Sequence, residues 1–102
     1  MNSNQLYINY LLTLKKAKEL ERAAAKLRRA AENNIEHEIN IVKKNWKSEA
    51  SDNFIKKLLL LKHKMLTEAV KLEKTAEVIR RIAKRTFDTE MEALEISRNR
   101  IY

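Results

Sequence analysis

A chain of 102 residues is enough for one small domain. It contains no Gly, no Pro and no Cys, which removes the usual residues of sharp turns and makes a β-rich fold, a disulfide or a Cys-based zinc site untenable. Twenty-two basic against 14 acidic residues leave a net charge of +8, with both signs interleaved along the chain in the manner of a solvated helix surface. Ala, Glu, Lys, Leu and Arg, all strong helix formers, make up 58 of the 102 residues. This composition predicts long helices or a coiled coil.

The first residues are ambiguous. Residues 6–10 alternate weakly and are rich in β-formers, so a first helix is expected to begin only near Tyr10. From Leu14 the apolar residues step by three or four: Ala17, Leu20, Ala24, Leu27 and Ala31, then Ile35, Ile39, Val42 and Trp46. This is one stripe on one helix, expected over about residues 10–44.

Stop and start signals then meet. Lys43 and Lys44 complement the negative end of a helix dipole, and Asn45 is suited to a left-handed turn. Ser48 is a good N-cap, followed by Glu49 and Asp52 in the next first turn. A bend is therefore expected at residues 45–48, with Trp46 plugging that end of the hairpin.

A second helix is expected over about residues 49–98. Its stripe runs through Phe54, Leu58, Leu61, Met65, Ala69 and Leu72, and continues through Ala76, Ile79, Ala83, Phe87, Met91 and Leu94. A shorter first helix would leave residues beyond about Ile82 without a partner in the chain. A further apolar row, Ile55, Leu59, Leu66, Val70 and Ile82, flanks the stripe, and one neighbouring helix cannot cover both. The expected fold is all-α: a single antiparallel helix-turn-helix hairpin domain that dimerises into a four-helix bundle.

The bend carries a resemblance. Trp46, Ala50 and Phe54 match in type and spacing the bend of the WXG family, the small ESAT-like substrates of Gram-positive type VII secretion. Ser48 stands where that family has Gly. The family also carries Tyr-x-x-x-Asp/Glu toward its C-terminus. The counterpart here is Phe87 with Glu90 three residues on, and Met91 in the position of the family's acid. The resemblance implies a protein made in the cytoplasm and exported without a cleaved signal peptide, to the medium or the cell surface. Its implied partners are a second copy or another WXG-like helical protein, the secretion ATPase, and a larger effector with a helical N-terminal domain.

Other classes are less well served. The basic run Arg80, Arg81, Lys84 and Arg85 suits phosphates, but Asp88, Glu90, Glu92 and Glu95 follow it and would repel a polyanion. An intracellular basic protein binding nucleic acid and a purely structural coiled-coil subunit are the alternatives. His37 and His63 lack a partner at metal-ligand spacing, and no nucleophile, glycine loop or carboxylate pair marks a reaction centre. No enzyme activity, cofactor, metal or nucleic acid is expected. The longest apolar run, residues 58–61, falls far short of the ~20 residues that span a bilayer.

Overall fold

The side chains at the N-terminus decide where the first helix begins. Asn2 and Gln5 form a reciprocal capping box: the Gln5 N–H donates to Asn2 Oδ1 at 2.8 Å, and the Asn2 N–H to Gln5 Oε1 at 3.4 Å. Helix α1 accordingly runs Ser3–Arg29, seven residues earlier than the apolar pattern suggests. The alternation over residues 6–10 is overridden by this cap. The computed structural model describes residues 2–100, and among them there is no strand.

After α1 the chain makes a π-helical turn, Ala30–Ile35, and continues as α2, Glu36–Asn45. The π turn has a sequence cause. Fully buried positions recur every seven residues at Ala17, Ala24 and Ala31, then after eight at Ile39. Three consecutive steps of four, from Leu27 through Ala31 and Ile35 to Ile39, carry one residue too many for the seven-residue repeat. A wider turn absorbs it and returns Ile39 to the buried seam.

The bend contains no left-handed residue, contrary to the expectation for Asn45; φ is negative at every described position. The chain turns through an extended Trp46, at φ −142° and ψ 113°. Its N–H donates to the Val42 carbonyl at 2.9 Å, and the Asn45 side-chain amide donates to the Ile41 carbonyl at 3.0 Å. The Trp46 N–H thus satisfies one of the carbonyls that the helix end would orphan, without Gly. Ser48 then caps α3, Glu49–Asn99, as expected. The partner that completes this cap is Ser51. Its N–H donates to Ser48 Oγ at 3.2 Å, and its Oγ accepts from the Ser48 N–H at 2.9 Å and donates to the Ser48 carbonyl at 2.8 Å. Ser51 is buried, the only polar residue so placed among those described.

The helical hairpin packs as two compact units. Among the described residues, one comprises 2–21 and 74–100; the other is Arg22–Glu73. In the first, the buried side chains are Leu6, Ala17, Ala76 and Ala83; in the second, Ala24, Ala31, Ile39, Ser51 and Ala69. Six of these nine are alanines. The two stripes read from the sequence are buried or half-buried throughout, except at Trp46, Phe54 and Leu61. The interior is thin. Burying an alanine methyl contributes well under the ~1.5–3 kcal/mol of a fully buried Leu or Ile, and most of the bulky aliphatic side chains are only partly covered.

Candidate functional site

At the bend, the extended backbone of Trp46 turns its ring toward the first turns of α3, where Phe54 lies. The ring centroids are 6.3 Å apart, tilted by 45°. Both rings remain nearly half exposed, Trp46 at 46% and Phe54 at 44%. Trp46 is therefore not a buried plug. It pairs with one aromatic and leaves nearly half of its surface to solvent. Ala50 is exposed, and Ser48 is committed to the cap. Ser48 is thus an N-cap and not a left-handed turn residue.

In the first unit, Phe87 has partners in the chain, which overturns the expectation that this part of the second helix is unpaired. It stacks on Tyr10 with ring centroids 4.9 Å apart and meets Tyr7 at 6.2 Å. These partners exist because α1 starts at Ser3. The Tyr10 and Phe87 rings line an open groove of about 220 Å³, whose lining also includes Leu6, Thr13, Ile82 and Glu90. Glu90 is exposed and Phe87 half-buried, so an aromatic and a carboxylate do share this groove. Met91 lies apart from it, half-buried beside a second shallow groove with Asp88, Glu92 and Glu95.

The flanking row divides. Leu59 and Val70 are exposed, while Ile55 and Leu66 are half-covered. Ile82 does not continue their face. Twelve residues of helix separate it from Val70, a rotation of about a third of a turn, and it lines the groove with Phe87 instead. Leu60 and Leu61 are also exposed, at 61% and 45%.

Three ion pairs join the arms within the units. Arg28 donates through Nε to Glu73 at 3.0 Å and through its Nη2 to the other carboxylate oxygen. Arg80 makes the same fork to Glu21, with Nε at 3.2 Å. Lys62 donates to Glu36 at 2.8 Å. Hydrogen bonds from these cations hold the carboxyls of Glu21, Glu36 and Glu73 below the ordinary value of 4.5, against a smaller opposing effect of desolvation.

No group of three or more His, Asp or Glu residues is placed to hold a metal ion among the described residues, and no helix is long and apolar enough to cross a membrane. Sequence reasoning missed Tyr7 and left Tyr10 at the very start of the helix; the signal for an earlier start was Asn2 followed three residues later by Gln5. It missed Ser51 because the partner in a capping box is usually Glu or Gln. No family model, no curated protein and no solved structure matches this chain.

Proposed function

We propose that this protein is an interaction module of the WXG type: a small helical hairpin that pairs with a second copy through its outer apolar faces and serves as a substrate or adaptor of type VII secretion. The observation that carries the reading is the inversion of side-chain size. Alanines fill the inside, while Leu59, Leu60 and Leu61 with Val70 and Ile82 stay outside. Bulky apolar side chains left outside in this way mark surfaces awaiting a partner. The half-exposed Trp46 at a Trp-x-Ser bend, eight residues before Phe54, supports placing the module in that secretion class.

On this reading the Phe87 and Glu90 groove is the patch presented to the secretion ATPase, and a larger effector with a helical N-terminal domain is a further partner. The protein is not an enzyme, acts without cofactor, and is exported to the medium or the cell surface. The test is export from a host with an active system. The double variant Phe87→Ala, Glu90→Gln should remain in the cytoplasm while the parent reaches the medium. Undiminished secretion of the variant would remove the export-signal claim.

A further inference from the structure

The residues that make the inner seam occur twice. Ala17, Ala24 and Ala31 recur as Ala69, Ala76 and Ala83, each 52 positions later. At the same offset, Glu21 and Arg28 recur as Glu73 and Arg80, and Leu20 and Arg29 as Leu72 and Arg81. Seven of the 15 positions of segment 17–31 are thus identical in segment 69–83. The repeated residues are the ones the fold uses: all six alanines are buried, and the two Glu and two Arg make the forked ion pairs. In each pair the Glu belongs to one copy of the repeat and the Arg to the other. The face that the first arm presents to α3 is therefore chemically the face that α3 presents in return.

We infer that this seam is also a docking surface for a second copy of the chain, taken by exchange of arms, with α1 of one copy seated on α3 of the other. Three features support exchange. The charge pattern is complementary between copies as it is within one, so an exchanged dimer forms the same forks twice over. The alanine-rich interior is weakly held, so opening the hairpin exposes little apolar surface. Residues 46–48 contain no Gly or Pro and no positive φ, so nothing in their chemistry obliges the chain to turn back there. The contacts at the bend are local, the cap between Ser48 and Ser51 and the tilted pair of Trp46 with Phe54. A short hinge between two strongly helical arms is a low-cost route to an exchanged dimer.

The test uses two full-length variants. One carries Glu21→Arg with Arg28→Glu, the other Glu73→Arg with Arg80→Glu. Each alone sets like charges against each other at both forks. A mixture restores opposite charges at all four sites of a dimer only if arms cross between chains. After mixing, warming and cooling, native mass spectrometry should show the heterodimer in roughly tenfold excess over either homodimer, a bias the four forks are together asked to supply. The mixture should also melt above either variant alone by circular dichroism. If the variants are unfolded alone, recovery of helix on mixing carries the same meaning. A statistical mixture of dimers, or monomers whose melting is unchanged by mixing, would overturn the exchange. The statistical result leaves dimerisation through the outer faces intact, so the two readings fail separately.

Discussion

Arg28 grips Glu73 through a fork of two parallel hydrogen bonds, the Nε arm at 3.0 Å. The planar guanidinium matches the carboxylate in a way an ammonium cannot. Arg28→Lys should therefore lower the melting temperature slightly, and Glu73→Gln by a similar amount. In a double-mutant cycle the combined change should cost little more than either alone. Equal, fully additive losses would show that the fork carries no coupling. Both groups are solvent-accessible, so the coupling should shrink as salt is raised.

Acid should loosen the hairpin through three named carboxyls. Glu21, Glu36 and Glu73 titrate below their ordinary 4.5 because Arg80, Lys62 and Arg28 hydrogen-bond to their charged forms. A carboxyl with a depressed folded value contributes its stability fully above the unfolded value, and that contribution is lost as pH falls through the folded value. Melting temperature should hold steady from neutrality down to about pH 5 and then decline as these groups protonate. Replacing all three with Gln should flatten the acid limb. An unchanged limb would assign the decline to other groups.

The cap on α3 rests on Ser51 as much as on Ser48. Ser51 is 1% exposed and all its polar atoms are engaged. Ser51→Ala removes the acceptor for the Ser48 N–H and should cost about 1 kcal/mol in denaturant unfolding, within the usual range for a lost cap. Ser51→Thr should retain much of the cap if the extra methyl fits. A neutral Ser51→Ala would mean that water replaces the hydroxyl without penalty.

Trp46 and Ala76 should respond in opposite ways to expectations based on size. Full burial of a Trp would make truncation cost about 3–5 kcal/mol. At 46% exposed and packed on Phe54, Trp46→Ala should cost nearer ~2 kcal/mol. Ala76→Leu adds an apolar group yet should destabilise by about 1–3 kcal/mol, because the fully buried seam has no room for it. A stabilised Ala76→Leu protein would show that the arms separate easily to accept bulk.

Much of this fold was legible from spacing. The three-and-four stepping from Leu14 to Val42 and from Leu58 to Leu94 marks the covered faces, Leu61 excepted, because burial in a helix pair depends chiefly on angular position. Ser48 was legible because capping is local chemistry. Helix α1 begins early because Asn2 and Gln5 cap it, a two-residue signal that the weak alternation of residues 6–10 obscured. The aromatic cluster was hidden for the same reason, since Phe87 gains Tyr7 only when α1 extends back to it, and Tyr10 stood at the very start of the expected helix. The turn without a left-handed residue was not legible: Asn45 has the chemistry for one, and only the backbone shows that extended Trp46 does the work instead. The exposure of Trp46 and Phe54 depends on how the bend is set, which spacing does not encode.

The central claim is that a hairpin with an alanine interior and a leucine exterior is half of an assembly. Sedimentation equilibrium of the pure chain at micromolar concentration tests it most directly, with helix content followed on dilution. The account predicts a dimer or larger species whose cooperative melting weakens as dilution dissociates it. A monomer that stays fully helical and melts cooperatively at every concentration would contradict it.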